Sequence, residues 1–396
     1  MRRFVVAVAG LLVAFTACLA VTPEDALGAP TIRTVVGSAS LRSPAGIAVD
    51  GTGDLFIADT NNCRVALVPS RSGVLYGLSV KTGHLYTLVG GRCAGNAAFG
   101  FPTGVAVDQR GDLFIAIASA DKVLELAPGG SGSRHSPVSV AGTGRPGYTG
   151  AGLVATQSAL HQPTGVAVDA AGNLFIADTA NCLVRVVPAA SGNLYGQSMQ
   201  AGHLYNVVGT GTCGTVTGGP ARASDIWGPV AVAIDHAGDV VIADNGDQTV
   251  IEMAVNGGTY YGTTIGAGDV QAIIGVVGTG NNPYLVDGLS ATSIASEVND
   301  PQGLALASDG TLFVTDGRMH CIRVVPNATM DLSGRSMGGG DLYTLAGALP
   351  VSTKAGAGNG TRWILTHMDV PVGIAVTSTG AVLFSDRGTA QVRELR

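Results

Sequence analysis

The residues of this chain that could do chemistry are seven histidines and a set of aspartates that recur along the sequence. A zinc enzyme needs at least three ligands that converge on the metal, and such ligands often stand at short, characteristic spacings. The histidines show no such spacing, and two of them, His84 and His203, fall where Asp269 and Asp341 stand in comparable segments. That equivalence favours a polar turn over catalysis. The others are His135, His161, His236, His320 and His367.

The aspartates favour a structural role because catalytic carboxylates are seldom copied along a chain, whereas turn caps are. One set ends a first apolar run (Asp50, Asp108, Asp169, Asp235), and the other ends a second run (Asp59, Asp178, Asp244, Asp316, Asp386). Asp244 and Asp247 form the one oxygen-rich cluster that departs from its counterparts, and they could hold Ca²⁺. The cluster lacks the ligand number and spacing of a calcium loop, so a type I′-like turn is preferred. We expect no cofactor.

The cysteines predict two disulfides. Cys63 and Cys93 stand 30 residues apart, and Cys182 and Cys213 stand 31 apart in matching sequence. Zinc is a weaker alternative, because no pair has CxxC spacing and no histidine cluster joins them. Each bridge would contribute roughly 3 kcal/mol in an exported protein. Cys321 is out of phase with Cys63 and Cys182 and is expected to be a buried free thiol.

The N-terminus predicts export. Arg2 and Arg3 precede an uncharged run from Phe4 to Val21, and small residues follow, which is typical of a cleaved signal peptide over residues 1–29. A retained membrane anchor remains an alternative, because the run is nearly long enough to span a bilayer. Lipidation at Cys18 is another, because Phe15-Thr16-Ala17-Cys18 is an imperfect lipoprotein box.

Composition excludes several classes. Charged residues make up 13% and hydrophobic residues 46%, with a net charge of −6 and a mean hydropathy of +0.35. The high hydrophobic content and small net charge argue against intrinsic disorder, and the 59 glycines do not recur every third residue as in collagen. Charges, Pro and Gly interrupt every apolar stretch after residue 21, which excludes a membrane protein with several spans. The slightly acidic net charge argues against a nucleic-acid partner, which would favour a basic surface.

A repeated unit organises residues 30–396 as one domain. It reads Pro44-Ala-Gly-Ile-Ala-Val-Asp50, then Gly53-Asp-Leu-Phe-Ile-Ala-Asp59, then Arg64-Val-Ala-Leu-Val68. Short apolar runs separated by turn residues indicate β-strands, and a fourth strand follows in segments such as His84 to Gly90. Copies begin at Pro44, Pro102, Pro163, Pro229, Pro301 and Pro371.

Six four-stranded units predict an all-β protein, a six-bladed β-propeller. The last copy ends at its third strand, and the orphan segment from Thr31 to Gly37 has the fourth-strand pattern. We therefore expect this N-terminal strand to complete the last blade and close the ring. Glycine strings such as Gly142 to Gly147 lack a βαβ setting, so they are inter-blade connections rather than nucleotide loops.

The pattern Pro-x-Gly-h-Ala-h-Asp, where h is apolar, followed by Gly-Asp/Asn-Leu-Phe-h-Ala-Asp, resembles the NHL repeat of six-bladed propellers. The resemblance covers all six copies, although Ile117 replaces the second-strand Asp and Ala231 replaces the Gly. Peptidylhydroxyglycine and streptogramin lyases resemble such propellers and use channel histidines with a metal. No Pro-x-Gly segment of this chain contains His.

Propeller geometry places two candidate binding surfaces on opposite faces. The residue between Pro and Gly of each copy is expected to ring the channel mouth, which would be small and neutral. These residues are Ala45, Thr103, Thr164, Val230, Gln302 and Val372. Insertions after the third strand present Tyr76, Tyr195 and Tyr261 on the other face, where they either bind ligand or pack against their own blades.

The sequence favours an exported, non-catalytic scaffold that binds a protein, glycan or cell-wall component. Alternatives are a metal-dependent lyase or lactonase acting in the channel, and an anchored surface sensor or adhesin. We expect a secreted or cell-surface monomer with no nucleic-acid partner and, once the signal is cleaved, no membrane span.

Overall fold

The protein forms a ring of six antiparallel blades around a central channel. The computed structural model describes residues 32–91, 93, 99–129, 136–275, 287–293, 298–332, 335–347 and 368–395. Each blade has four strands, numbered here one to four from the channel outward, and successive strands pair in the order of the chain. The predicted signal segment lies outside the described residues.

The strands of the first three blades are bounded as follows. Blade 1 has Pro44–Val49, Leu55–Asp59, Arg64–Val68 and Tyr86–Gly90. Blade 2 has Pro102–Val107, Leu113–Ile117, Lys122–Leu126 and Val138–Ala141. Blade 3 has Pro163–Val168, Leu174–Asp178, Leu183–Val187 and His203–Val208.

The second half of the ring repeats the arrangement. Blade 4 has Pro229–Ile234, Val240–Asp244, Thr249–Met253 and Asp269–Ile274. Blade 5 has Pro301–Leu306, Leu312–Asp316, Cys321–Val325 and Asp341–Gly347. Blade 6 has Pro371–Val376, Val382–Asp386, Gln391–Leu395 and, as its fourth strand, Ile32–Val36.

The N-terminal strand closes the ring as the sequence predicted. Ile32–Val36 pairs antiparallel with Gln391–Leu395, so that Ile32 faces Leu395 and Arg33 faces Glu394. The side chains of Arg33 and Glu394 form an ion pair across this pairing. The two ends of the described chain are therefore joined in one sheet.

The inner strands approach one another closely at the axis, and glycine permits this approach. A methyl group on Gly46 would lie 2.8 Å from the carbonyl oxygen of Thr103, and one on Gly165 would lie 2.5 Å from that of Val230. Side chains at these positions would therefore clash with the backbone of the next blade. The same contact recurs at Gly104, Gly303 and Gly373.

Hydroxyl groups add hydrogen bonds between blades beside these glycines. Thr315 Oγ1 donates to the carbonyl of Val372 at 2.6 Å, and Ser385 Oγ donates to that of Ala45 at 2.6 Å. Thr164 Oγ1 donates to the carbonyl of Val230 at 2.9 Å. Each bond links one blade to the next around the ring.

The second strands are buried throughout, because neighbouring blades cover both faces of each sheet. The aspartate that ends this strand caps the backbone just before strand one: Asp59 accepts the N–H of Arg42 at 2.7 Å. It also pairs with the Arg64 guanidinium at 2.7 Å. In blade 2, where Ile117 replaces the aspartate, Ser119 Oγ accepts the N–H of Phe101 at 3.0 Å instead.

Blade 4 lacks the cation that accompanies these aspartates elsewhere. Arg185 and Arg393 lie 3.5 Å and 3.2 Å from Asp178 and Asp386, whereas Ile251 occupies the equivalent position in blade 4. Burial therefore raises the pKa of the Asp244 carboxyl to about 7, with a smaller contribution from the charge of Asp247. The hydrogen bond from the Trp227 N–H opposes this rise.

The outer edges contain strands that the sequence did not predict. Three inter-blade connections add a short fifth strand to the outside of the blade that they are about to enter. The glycine string from Gly142 to Gly147 lies in the first of these connections, as expected for an inter-blade segment. The fifth strands are Leu153–Val154, Gly219–Pro220 and Leu289–Ser290.

Both predicted disulfides are confirmed. Cys63–Cys93 and Cys182–Cys213 each have a Cα–Cα distance of 5.2 Å. Cys321 is a buried free thiol, also as predicted, and burial raises its pKa. In the described residues, no helix is long and apolar enough to cross a membrane.

We expect Gly303→Ala to destabilise the ring by at least about 2 kcal/mol, because the new methyl group would overlap the Val372 carbonyl. Urea unfolding followed by circular dichroism measures the change. Gly51→Ala is the matched control, since nothing lies within 4 Å of its added methyl group, and it should change stability by less than about 0.5 kcal/mol. Equal unfolding midpoints for the two variants would contradict the axial constraint.

The buried Asp244 predicts a loss of stability as pH rises. Its pKa of about 7 in the folded protein exceeds the ordinary value of 3.8, so the folded state binds the proton more tightly than the unfolded state. The contribution is fully present below about pH 4 and is lost as pH rises through 7. Asp244→Asn should therefore show a shallower fall in unfolding free energy between pH 4 and 7 than the unmodified protein.

Asp59→Asn provides the control for this pH series, because it removes the partner of Arg64 at the same position of blade 1. It should lower stability at pH 7, since the half-buried guanidinium loses its counter-charge. If Asp244→Asn instead followed the pH profile of the unmodified protein, the raised pKa would be refuted.

Candidate functional site

The six residues predicted to ring the channel mouth do line the narrow central channel, together with the glycines beside them. The cavity has a volume of about 140 Å³. Pockets that enclose small molecules usually measure about 300–1,000 Å³. The channel therefore admits a few water molecules or one small chemical group, and a larger ligand would have to lie across its mouth.

The channel lining includes one charged residue besides the six predicted residues, which are themselves neutral. Arg387, from the loop after strand two of blade 6, also lines the channel. Burial lowers the pKa of its guanidinium, and the negative charge of Asp300 partly opposes this shift. An arginine side chain remains charged at neutral pH despite such shifts. One positive charge thus lies in a ring of small and amide side chains.

A hydrogen-bonded group of three side chains stands beside the mouth on blades 4 and 5. Asp300 Oδ1 accepts bonds from Asn245 Nδ2 at 2.5 Å and from Gln302 Nε2 at 2.6 Å. Asn245 Nδ2 also lies 3.3 Å from the carbonyl of Pro301, which ties blade 4 to blade 5. We call Asn245, Asp300, Gln302 and Arg387 the mouth cluster.

The bonds within the mouth cluster determine what it offers to a ligand. Both amide nitrogens point to the carboxylate, since only the nitrogen can donate, so the oxygens of Asn245 and Gln302 remain acceptors. Asp300 Oδ2 has no hydrogen-bond partner among the described residues. Arg387 adds donors. The mouth cluster therefore presents acceptors and a charged donor together.

An exposed tryptophan lies next to the mouth cluster. Trp227 precedes strand one of blade 4 and is 51% exposed, and its indole packs against Gly246. A methyl group on Gly246 would lie 2.5 Å from the indole, so this glycine makes room for the ring. Gly246 follows Asn245 directly in the chain, so the Trp227 ring packs against the residue next to a member of the mouth cluster.

The described histidines do not assemble a metal site. The Nδ1 atoms of His84 and His203 lie 3.1 Å and 3.0 Å from the carbonyls of Thr82 and Ala201, as expected for turn residues. Nδ1 of His320 accepts the N–H of Val370 at 3.1 Å. Throughout the described ranges, no three His, Cys, Asp or Glu side chains gather closely enough to hold a metal ion. His135 and His367 lie outside the described residues.

The carboxylates of the weak calcium candidate bind the protein itself. Asp247 accepts the N–H of Val216 at 2.9 Å and the hydroxyl of Thr215 at 3.1 Å, while Asp244 accepts the N–H of Trp227. The turn is not of type I′, because neither Gly246 nor Asp247 has positive φ and the left-handed residue is Gln248. Calcium binding at this loop stays a prediction.

The tyrosines of the insertions lie on the opposite face and join neighbouring blades. Each insertion is a short hairpin, and Tyr76 donates to the carbonyl of Gly111 in the next blade at 2.6 Å while its ring packs edge-on against Phe56. Tyr195 and Tyr261 contact Gly238 and Gly310 in the same way. Packing thus involves the next blade as well as the blade of origin. Ligand binding by these tyrosines stays a prediction.

The hairpins are formed by pairs of three-residue strands. They are Gly73–Leu75 with Leu78–Val80, Gly192–Leu194 with Gln197–Met199, Gly258–Tyr260 with Thr263–Ile265, and Met330–Leu332 with Arg335–Met337.

Two grooves lie beneath these hairpins, where adjacent blades meet. One of about 480 Å³ lies between blades 1 and 2 and includes Tyr76, and the other of about 630 Å³ lies between blades 3 and 4 and includes Tyr195. Both are larger than the channel. Both grooves are lined by turns and hairpins that several blades share. The residues of the mouth cluster, in contrast, differ in type from the residues at the same positions of the other blades.

Sequence reasoning missed Arg387, Asp300 and Trp227, although the aligned copies contain the signal. The position after the second-strand aspartate reads Thr60, Ala118, Thr179, Asn245, Gly317 and Arg387 along the six copies. The position before the proline reads Ser43, Phe101, Gln162, Gly228, Asp300 and Val370. Comparison of these two columns would have identified most of the mouth cluster.

Comparison with protein families identifies the repeat. The model of the NHL repeat matches residues 41–66, 160–187 and 298–325, which lie in blades 1, 3 and 5. The sequence matches none of the curated proteins compared with it.

Solved structures share the fold at low identity. A protein of unknown function from Bacteroides thetaiotaomicron is 16% identical with a TM-score of 0.58, and an auxiliary nutrient binding protein from the same organism is 11% identical with a TM-score of 0.56. In each, the match covers 93% of this chain and 76% of the other. A gluconolactonase from Xanthomonas campestris is 13% identical with a TM-score of 0.52, covering 93% and 90%.

These likenesses establish a shared architecture alone, because the identities are low. Each of the three matched repeats coincides with the inner strands of one blade. The chain is therefore a six-bladed β-propeller with NHL repeats at the three matched positions.

Proposed function

We propose that the protein is an exported, non-catalytic binding protein that holds a glycan across the channel mouth. The observation that carries the proposal is the mouth cluster beside exposed Trp227, on the three blades whose mouth residues depart from the repeat. Export is supported by the predicted signal segment and the two disulfides.

The chemistry of the mouth suits a hydroxyl-rich ligand. A hydroxyl group both donates and accepts, so sugar hydroxyls can bond to Asp300 Oδ2, to the amide oxygens of Asn245 and Gln302, and to the Arg387 guanidinium. An exposed indole offers an apolar surface for the C–H face of a sugar ring. The narrow channel leaves the ligand on the surface, where an extended chain can cross several blades.

The structural relatives permit this proposal. Two of them are called auxiliary nutrient binding proteins, and both have TM-scores of 0.56. The catalytic alternative, a metal-dependent lyase or lactonase, would require at least three converging ligands, and the described residues contain no such group. The anchored sensor or adhesin differs only in what happens to residues 1–29 and would use the same site.

A glycan array followed by calorimetric titration tests the proposal on the protein without residues 1–29. Trp227→Ala and Gln302→Ala should each weaken glycan binding by about tenfold or more, equivalent to at least about 1.4 kcal/mol. Both side chains are accessible at the mouth, so the variants should fold normally, which circular dichroism confirms.

Arg222→Ala is the control, because this exposed residue lines the groove between blades 3 and 4 on the opposite face. It should leave the affinity unchanged. A ligand whose binding is lost in Arg222→Ala and retained in both mouth variants would move the site to the insertion face. If the propeller binds no glycan but binds a protein ligand at the mouth, the ligand class is protein and the glycan proposal is wrong.

A further inference from the structure

Among the arginines whose side chains the structure describes, Arg387 is the one that is half-buried and has no acidic partner. It is half-buried, and no carboxylate lies within ion-pair distance of its guanidinium among the described residues. Six arginines have acidic partners: Arg33, Arg64, Arg110, Arg185, Arg323 and Arg393. The others without one are exposed: Arg42, Arg71, Arg145, Arg222 and Arg318.

The fold does not require a guanidinium at this position. The backbone N–H of Arg387 donates to the carbonyl of Val370 at 3.1 Å, as that of Asn245 does to Gly228 at 3.3 Å in blade 4. The remaining blades place Thr, Ala or Gly there and keep the same architecture. The long charged side chain at the channel is therefore a departure specific to blade 6, and packing does not explain it.

A half-buried guanidinium with no carboxylate at ion-pair distance is costly, and an anion bound to it would reduce that cost. The channel residues of blade 6 and of blade 1, Val372 and Ala45, are neutral and apolar, so they do not compete for the guanidinium. The cavity of about 140 Å³ admits a planar carboxylate with its neighbouring atoms. Arginine binds such a group through two parallel hydrogen bonds.

The charge of Asp300 restricts the kind of anion. Asp300 is close enough to influence the Arg387 guanidinium, and its Oδ1 is held by two amide groups. It would repel a doubly charged phosphate more strongly than a singly charged group. A carboxylate beside hydroxyl groups satisfies both residues, with the carboxylate on Arg387 and a hydroxyl donating to Asp300.

We propose that Arg387 binds a carboxylate of the glycan in the channel mouth, and hence that the ligand is an acidic glycan containing uronic acid residues. The inference rests on the proposed function, since it names the ligand class for the same site. Trp227, Asn245 and Gln302 then contact the ring and hydroxyls, while the acid group enters the channel.

Calorimetric titration with tetragalacturonic acid and with its methyl ester tests the inference, because esterification removes the charge of the acid groups and leaves the sugar rings and their hydroxyls unchanged. The acid should bind at least tenfold more tightly than the ester. Arg387→Gln should abolish this preference, and Arg387→Lys should retain part of it, because lysine keeps the charge and loses the two parallel bonds. Arg318→Gln, an exposed arginine without a partner on blade 5, should bind like the unmodified protein.

The inference and the proposed function fail in different ways. Equal affinity for acid and ester, together with equal affinities of Arg387→Gln and Arg318→Gln for the acid, would overturn the carboxylate assignment. The proposed function would then still be tested by glycan binding to the Trp227→Ala and Gln302→Ala variants. Binding of neutral or sulfated glycans alone would overturn it as well. A peptide that binds through Arg387 only when its C-terminal carboxylate is free would assign the carboxylate to a protein ligand. No binding to any glycan would remove both proposals.

Discussion

The close approach of six inner strands around the axis is the constraint on which the structure depends. A side chain at Gly46, Gly165 or Gly303 would meet the backbone of the next blade, so these positions must be glycine for the ring to close at this radius. Hydroxyls such as those of Thr315 and Ser385 then bond across the same gap. Ala231 is the exception, which shows that one of the six positions tolerates a methyl group.

The same constraint separates structural positions from free ones. Residues that hold a blade together recur: the strand-two aspartate caps the preceding backbone, and the strand-one aspartate caps its own turn, as when Asp50 Oδ1 accepts the N–H groups of Thr52 and Asp54 at 2.9 Å. The residues of the mouth cluster do not recur in this way, although Asn245 also links blade 4 to blade 5 through the carbonyl of Pro301. They can differ from blade to blade, and the departures at Asn245, Asp300 and Arg387 fall on consecutive blades.

The opposite face shows how a repeated feature can have a packing role. Tyr76, Tyr195 and Tyr261 adopt left-handed conformations at hairpin turns, with φ of 48°, 50° and 48°, and their hydroxyls bond to the next blade. The carbonyl that accepts each tyrosine hydroxyl belongs to the turn after strand one of the next blade, and the repeat supplies that turn in every blade. The hydrogen bond therefore recurs wherever a blade with such a tyrosine precedes another blade. Repetition therefore favours packing there, while irregularity favours recognition at the mouth.

The sequence predicted the blade number, the strand pattern and the ring closure by Ile32–Val36, because strand periodicity and repeated turn residues are local signals. It also predicted the disulfides, because the two cysteine pairs recur in matching sequence. It did not predict the fifth strands, the conformation of the Asn245 turn or the charge at the mouth. Those depend on which blades become neighbours: Asp300 meets Asn245 from 55 residues away, and Arg387 reaches the channel only once the ring has closed. Only the tertiary structure brings such residues together, since no local signal records their distance in space.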